Sequence, residues 1–160
     1  MAILSILINP KTNIVMQKLV LLFVISILGV MSIMADNDKI ITREELPEKA
    51  QMFIDEHFAN VDILYAKAER DMGVITSYDV VLEGDVKIEF NRSGEWESVD
   101  CNRGRVPDSV LPKAVLDYVT KKFAKAYVVE IERDMMGYDV KLSNDLDLEF
   151  DKSGKFLRVD

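Results

Sequence analysis

The chain is poor in the residues that build covalent cross-links and catalytic centres. Its 160 residues include one cysteine, one histidine and one tryptophan. With Cys101 alone no intrachain disulfide can form, so packing must stabilise the fold. The sequence has no zinc-type Cys/His spacing, no glycine-rich phosphate loop and no serine-centred nucleophile motif. A pair of Cys101 and His57 would lack a third, orienting group, so we predict no enzymatic activity and no catalytic residues.

Basic residues are also scarce. The chain has 20 lysines and arginines against 28 aspartates and glutamates, a formal net charge of −8. Residues 1–35 contain Lys11, Lys18 and no acid, so the remainder carries 18 bases, 28 acids and a formal charge of −10. Such a surface repels phosphate backbones and anionic membranes, so we expect no nucleic-acid partner and no membrane partner for the mature chain. Cationic partners and divalent ions remain compatible with it.

The only long apolar run, "LVLLFVISILGVMSI", covers residues 19–33. Lys18 precedes this run, the small residue Ala35 follows it, and the run is shorter than the ~20 residues of a membrane span. This pattern predicts a cleavable signal peptide over residues 1–35 and a periplasmic or secreted product, with a retained membrane anchor as the alternative. Met16 followed by Gln17 and Lys18 has the pattern of a natural start, so we predict that translation begins at Met16.

The mature region contains two similar stretches. "YDVVLEGDVKIEFNRSGEW" (78–96) returns as "YDVKLSNDLDLEFDKSGKF" (138–156), and "LPEKAQMFIDEHF" (46–58) returns as "LPKAVLDYVTKKF" (111–123). "AERDM" (68–72) likewise matches "IERDM" (131–135), so the offset falls from 65 to 63 to 60. Two separate loop deletions would explain this change. We predict two repeated units, residues 40–101 and 106–160, that form one globular body.

Each unit is predicted to be one helix followed by four strands. A helical stripe of apolar residues occurs in each unit: Leu46, Ala50, Phe53, Ile54 and Phe58, then Leu111, Val115, Tyr118, Val119 and Phe123. Thr42 and Glu45 form a capping-box pattern that would start the first helix earlier.

The rest of each unit alternates apolar and polar residues, with Leu64 predicted inward and Val128 predicted outward. Gly84, Asn144, Gly94 and Gly154 are predicted to supply positive φ in hairpin turns. The expected class is α+β, with an antiparallel sheet covered on one side only.

The doubled pattern "LP…F…ERDM…YDV.L…D..LEFD.SG.F..VD" resembles the β-lactamase-inhibitor-like, PepSY-like proteins that Bacteroides-type bacteria export. The resemblance covers about residues 40–160. It implies tandem repeats of a helix plus a four-stranded antiparallel sheet, joined into one curved surface, and a periplasmic or surface location. It implies no catalytic residues, and PepSY domains in general are proposed to regulate or inhibit peptidases. β-Lactamase inhibitors of this fold carry disulfides, which Cys101 alone cannot provide, so we do not expect inhibition of β-lactamase.

The outer face of the sheet is the first candidate site. Charged and aromatic side chains there could bind an unidentified protein or peptide of the cell envelope, making the protein a peptidase regulator or another inhibitor-like module. A face that is simply solvated is the alternative. The predicted binding residues are Tyr65, Lys67, Glu69, Asp79, Glu83, Glu89, Glu130, Glu132, Asp139 and Lys141.

The acidic segment "DLDLEFD" is the second candidate site. Asp145, Asp147, Glu149 and Asp151 alternate with apolar residues and are therefore expected to share the exposed face. Successive carboxylates on one strand lie ~6–7 Å apart, too far for one pair to chelate a cation tightly. Calcium takes about six to eight oxygen ligands, which neighbouring strands would have to supply. A calcium- or cation-responsive periplasmic protein is therefore the alternative function, and no other cofactor is expected.

Overall fold

The computed structural model describes residues 38–160, so the predicted signal peptide (1–35) and the predicted start at Met16 lie outside the described residues. The described part contains two helices, α1 (Glu48–His57) and α2 (Lys113–Lys122), and a short 3₁₀ turn at Arg43–Glu45. Its strands are β1 (Lys39–Ile41), β2 (Ile63–Asp71), β3 (Val74–Leu82), β4 (Val86–Asn91), β5 (Trp96–Asp100), β6 (Val128–Arg133), β7 (Gly137–Leu142), β8 (Asp147–Asp151) and β9 (Phe156–Val159).

The strands form one antiparallel sheet of nine strands in the order β1 to β9. The predicted α+β class and antiparallel sheet are therefore confirmed, whereas strand β1 was not anticipated. The chain does not divide into two separate sheets, because β5 pairs with β6 through Ser98 opposite Glu132 and Val99 opposite Ile131. Below, β2–β5 with α1 are called the first half and β6–β9 with α2 the second half.

Each helix is anchored to the sheet by a cluster of aromatic rings. In α1, Phe53 meets Phe90 edge-on with ring centroids 5.7 Å apart and stacks on Trp96 at 6.0 Å. In α2, Tyr118 meets Phe150 edge-on at 5.5 Å and stacks on Phe156 at 4.5 Å. Both predicted helical stripes pack into one continuous core, as expected from their spacing. Aromatic pairs of this kind add to the stabilisation from apolar burial.

The first helix does not begin at the capping box. The backbone N–H of Thr42 donates to the Glu45 carboxylate at 2.9 Å, but this contact closes the separate 3₁₀ turn. The helix itself begins after Pro47, whose extended backbone (ψ 144°) interrupts the helical path. Pro112 has the same role before α2.

The inward and outward assignments of two strand residues were wrong, because β2 and β6 each contain a bulge. The register shifts between Ile63 and Tyr65 in β2 and between Val128 and Glu130 in β6. An extra residue reverses the alternation of side chains on the strand before it. Leu64, predicted inward, is therefore 59% exposed, and Val128, predicted outward, is 2% exposed.

The hairpin turns agree with the prediction at three of four positions. Gly84, Gly94 and Gly154 have φ of 81°, 80° and 79°. Asn144 does not have positive φ; the next residue, Asp145, does, at 62°. An aspartate tolerates this region better than most residues, because its short polar side chain can form local hydrogen bonds.

The register also corrects the alignment of the two halves. Asp79 lies opposite Lys67 and Asp139 lies opposite Glu132, so Lys67 and Glu132 hold the same place. Matching "AERDM" with "IERDM" had wrongly placed Glu132 with Glu69. The offset is 65 throughout the first strand of each half and becomes 60 after the first hairpin. The two predicted deletions are therefore one, because the β2–β3 hairpin is longer than the β6–β7 hairpin.

Candidate functional site

A groove crosses the outer face of the sheet where the two halves join. We call it the junction groove; it has a volume of about 790 Å³ and is bordered by residues of β4 to β7 and their loops. Among its lining residues are Glu89, Glu97, Ser98, Glu132, Asp134 and Asp139. Lys152 and Arg133 also line it. The pairing of β5 with β6 creates this groove, because it sets the outward residues of β5 beside those of β6.

A smaller groove of about 270 Å³ continues along the second half. It shares Glu132 and Asp139 with the junction groove and adds Glu130, Asp147 and Glu149. Asp160 and Lys141 complete its polar lining. The two grooves therefore form one acidic track, centred on Glu132 and Asp139.

Three carboxylates of this track have raised pKa values, because they are partly desolvated and lie near other negative charges. Partial desolvation raises the pKa of Glu89, and the negative charges of Asp79 and Glu132 add to the effect. Partial desolvation also raises the pKa of Glu130, with further contributions from Asp100 and Glu132. The pKa of Asp139 is raised by desolvation and then by Glu149. In the charged state these groups therefore favour a positive neighbour.

The corresponding place in the first half contains its own cation. The ammonium of Lys67 lies 2.8 Å from Asp38, 2.8 Å from Glu69 and 3.1 Å from Asp79. These hydrogen bonds, led by that to Asp38, raise the pKa of Lys67, so it stays charged. The bond to Lys67 lowers the pKa of Glu69. Burial still raises the pKa of Asp79, against the opposing effect of Lys67.

The second half has a carboxylate in place of this ammonium. Glu132 lies opposite Asp139 as Lys67 lies opposite Asp79. Within residues 38–160, Glu89, Glu132 and Asp139 form no salt bridge, whereas Glu149 is paired with Arg158. The guanidinium of Arg133 lies 4.5 Å from the centre of the Trp96 ring and donates to the Trp96 carbonyl oxygen, so it is held at the edge of the groove.

The structure separates the predicted binding residues into two groups. Lys67, Glu69 and Asp79 form the Lys67 cluster, and the junction groove and its continuation contain Glu89, Glu130, Glu132, Asp139 and Lys141. Glu83 lies in the turn between β3 and β4, and Tyr65 lies at the β2 bulge, 47% exposed. Neither Glu83 nor Tyr65 lines the junction groove.

Sequence reasoning missed the contributions of β5, of the β6–β7 hairpin and of Asp38. Glu97 and Ser98 were not selected, because the sequence did not reveal which strand pairs with β5. The outward alternation of "WESVD" could have identified Ser98 as a face residue. Asp38 carries no pattern of its own, and only the pairing of β1 with β2 brings it to Lys67.

The four candidate metal ligands do not share one exposed face. Asp145 lies in a turn, and the Asp151 carboxylate accepts hydrogen bonds from the backbone N–H groups of Ser153 and Lys155 at 2.9 and 3.0 Å. Those bonds close the β8–β9 hairpin. Asp147 and Glu149 do line the smaller groove. In the described part of the chain, no group of three or more His, Cys, Asp or Glu side chains is arranged to hold a metal ion.

The fold is thus a helix-covered antiparallel sheet with an acidic outer face. The chain belongs to the family described as "Putative beta-lactamase-inhibitor-like, PepSY-like", whose model matches residues 76–158. No curated protein matches the chain. In the described region neither helix is long and apolar enough to cross a bilayer.

Crystal structures of similar proteins come from Bacteroides species. A "putative calcium-regulated periplasmic protein" of Bacteroides thetaiotaomicron is 40% identical, with a TM-score of 0.73 over 78% of this chain and 97% of that one. A "putative periplasmic protein" of Bacteroides vulgatus is 39% identical, with a TM-score of 0.73 over 79% of this chain and 98% of that one. A second B. vulgatus protein, "of unknown function", is 35% identical, with a TM-score of 0.71 over 78% and 99%.

Proposed function

We propose that this chain is an exported, periplasmic, non-catalytic binding protein that captures a positively charged segment of a protein or peptide on its outer sheet face. The periplasmic location is supported by the descriptions of the three relatives and by the leader-like sequence of residues 1–35. The inhibitor-like description of the family favours an enzyme, such as a peptidase, as the captured partner.

One observation carries the proposal: Glu132 stands where the first half has Lys67. Three carboxylates surround the Lys67 ammonium, so the cation of that cluster is internal. Near Glu132, Glu89 and Asp139 instead have raised pKa values, and both line a groove of about 790 Å³. Ligand sites commonly have volumes of about 300–1,000 Å³. A lysine or arginine side chain from a partner would supply the missing charge, in a contact that salt weakens.

The absence of catalysis is supported by the environments of Cys101 and His57. Cys101 is buried, and desolvation raises the pKa of its thiol to about 11, so the reactive thiolate is suppressed at neutral pH. The Nδ1 atom of His57 lies 2.8 Å from the Ser109 hydroxyl oxygen, in a contact that joins α1 to the segment before α2. Both residues are thus used structurally.

The binding proposal is tested with a synthetic lysine-rich peptide as the probe. Trp96, the only tryptophan, lies beneath Arg133 at the edge of the groove and reports binding by its fluorescence. We expect saturable binding that weakens with salt and is lost in Glu132→Lys. Glu56→Lys, the same charge change on α1, is the matched control and should bind like the wild type.

Equal binding by Glu132→Lys and Glu56→Lys would contradict a site in the groove. Affinity capture from the native cell envelope, with the same two variants as baits, then tests the partner. A protein retained by the wild type and by Glu56→Lys, and lost with Glu132→Lys, is the expected result. Peptidase activity of that protein, measured with and without the chain, tests the regulatory role.

Calcium responsiveness is the second candidate function. It is favoured by the description of the B. thetaiotaomicron relative as calcium-regulated and by the six acids along the smaller groove. Calorimetry at millimolar calcium should show saturable heat and a raised melting temperature, both reduced in Glu132→Gln. No heat and no stabilisation at that concentration would contradict this candidate.

We also propose that residues 40–101 and 106–160 arose by duplication of one helix-plus-four-strand unit. The aromatic anchors support this proposal, because Phe53, Phe90 and Trp96 have counterparts at Tyr118, Phe150 and Phe156. The bulge at the start of β2 also has a counterpart in β6. Isolated halves that folded independently would support the proposed boundaries, as judged by circular dichroism and amide exchange.

A further inference from the structure

The two edges of the sheet are built differently. At one edge, β9 pairs only with β8 among residues 38–160, and its Leu157 and Val159 are 54% and 47% exposed. At the other edge, β2 is covered by β1 through three pairs: Lys39 with Ala68, Ile40 with Lys67 and Ile41 with Ala66. An uncovered strand edge presents free N–H and C=O groups to any strand that fits it.

β5 has the same geometry as β9, and the pairing of β5 with β6 shows which kind of strand fits the open edge of β9. In β5, Trp96 lies opposite Phe90 and Val99 lies opposite Ile88. β9 repeats this geometry, with Phe156 opposite Phe150 and Val159 opposite Leu148, and with a register shift at the same place. The outer edge of β5 is occupied by β6, and Val99 is fully buried as a result.

The strand corresponding to β6 in the first half is β2. Ala66 lies opposite Val80 as Ile131 lies opposite Val140. Ile41 of β1 faces Ala66, and Val99 of β5 faces Ile131. β1 therefore lies along β2 in the same way that β5 lies along β6. A strand that resembles β5, such as β9, would fit the same edge of β2.

We propose that the β2 edge accepts β9 of a second copy of this chain whenever β1 leaves, so that copies associate head to tail. Val159 would lie opposite Ala66 of the other copy, as Val99 lies opposite Ile131 within one copy. The exchange buries Val159 and exposes Ile41, one apolar side chain for another. Under ordinary conditions β1 occupies the β2 edge in preference to β9 of a second copy, because a strand linked to its site acts at an effective concentration of about millimolar. β1 is thus a cap against self-association.

The backbone of β9 is suited to this contact. The N–H of Asp160 donates to the carbonyl oxygen of Asp147 in β8 at 2.9 Å. Since consecutive N–H groups of a strand point to opposite sides, the N–H of Val159 points to the open edge. Val159→Pro therefore removes a donor needed for the new pairing and leaves the bond from Asp160 to β8 in place.

The test uses the chain from Asp36 to Asp160 with Ile41→Asp, which places a carboxylate at a position that is 9% exposed and releases β1. Ile40→Asp is the matched control, because Ile40 is 65% exposed in the same strand. Sedimentation should show Ile41→Asp passing beyond the mass of a dimer as concentration rises, since a head-to-tail contact leaves two free edges. Ile40→Asp and the double variant Ile41→Asp/Val159→Pro should stay monomeric. A folded, monomeric Ile41→Asp with rapid amide exchange at the β2 edge would overturn the proposal.

A second variant covers the case in which Ile41→Asp does not fold. The double variant Ala66→Cys/Val159→Cys keeps β1 unchanged. Whenever β9 of one copy replaces β1 on β2 of another, a disulfide between residues 159 and 66 can link the two copies. A bond within one copy is excluded because seven strand spacings of about 4.8 Å separate β2 from β9. Linkage of 66 to 159, found by peptide mapping after slow oxidation, is expected. Linkage of 159 to 159 would mean pairing between two β9 edges, and either that result or no linkage would overturn the proposal.

Discussion

The two halves of the sheet place opposite charges at the same position. Lys67 of the first half is surrounded by Asp38, Glu69 and Asp79, whereas Glu132 of the second half lies opposite Asp139 and forms no salt bridge within residues 38–160. The residues of the inner face are alike in the two halves: Val80 and Val140, like Phe90 and Phe150, are fully or almost fully buried. Packing therefore requires apolar residues on the inner face of both halves, whereas the charges on the outer face differ between them.

The charge difference between Lys67 and Glu132 distinguishes a cluster that stabilises the fold from a surface that can bind a partner. A cation that belongs to the chain satisfies the acids of the first half in the folded state. In the second half, desolvation and neighbouring negative charges raise the pKa values of Glu130 and Asp139, so a partner that brings positive charge gains more there. The four predictions below test the comparison, from the largest expected effect to the smallest.

The inner faces should respond alike to truncation. Phe90 is 0% exposed and Phe150 is 2% exposed. Phe90→Ala and Phe150→Ala should each lower the unfolding free energy by about 3–5 kcal/mol. Because the core and the sheet are continuous, one urea transition is expected in both variants. Two separate unfolding transitions, one for each half, would contradict the expectation that both halves unfold as one unit.

The turns that touch the helices should also respond alike. A Cβ on Gly94 would lie 2.6 Å from the Pro47 Cβ, and a Cβ on Gly154 would lie 2.8 Å from the Ala114 Cβ, both at positive φ. Gly94→Ala and Gly154→Ala should each cost about 2–3 kcal/mol, from strain and overpacking together. Gly84→Ala is the control, since its φ of 81° is similar and its space is open, and it should cost about 1 kcal/mol. Equal losses at Gly84 and Gly94 would show that the helix contact contributes nothing.

The outer faces should respond in opposite directions. Lys67→Met leaves three carboxylates without their ammonium and should lower the unfolding free energy by about 2 kcal/mol. Glu132→Met removes one of several like charges and should be neutral or stabilising. Thermal unfolding of the two variants at low salt measures the contrast. Similar losses in both would mean that the charge at this position does not distinguish the halves.

The pH dependence should be smaller and should depend on Glu132. Glu89, Glu130 and Asp139 have raised pKa values in the folded state, so the folded chain binds their protons more tightly than the unfolded chain. Their contribution to stability is therefore fully present below the ordinary carboxyl pKa values and is lost as the pH rises through their raised, folded pKa values. Glu132→Gln should flatten this dependence, because Glu132 adds to the pKa rise of all three. Melting temperatures across this range with an unchanged slope in the variant would contradict the like-charge account.

Much of the fold follows from local sequence. The stripe from Leu46 to Phe58 predicts α1, and the alternation around Tyr78 and Ile88 predicts β3 and β4, because one buried face imposes a fixed period. Leu64 and Val128 were misplaced because a bulge inserts a residue that no local pattern announces. Glu132 was aligned with Glu69 for a related reason. The shared residues "ERDM" favoured that alignment, whereas the true correspondence depends on pairing with the neighbouring strand, which the sequence does not show.

The candidate site was predictable only in part. Glu89, Glu132 and Asp139 could be selected as outward acids from their alternation. Their grouping into one groove could not, because it depends on β5 pairing with β6 although residues 101–127, which include α2, separate the two strands in the chain. The role of Asp38 was hidden for the same reason, since β1 is three residues long and carries no periodicity.

By itself the sequence determined the class of this protein: two helices over an antiparallel sheet, with an excess of acidic residues. Those properties rest on composition and on periods of two and 3.6 residues, which act locally. Only the tertiary structure decided which strand covers which edge, which charges meet, and that Lys67 and Glu132 are counterparts. Pairing between strands joins residues distant in the chain, and its register sets which side chains face one another.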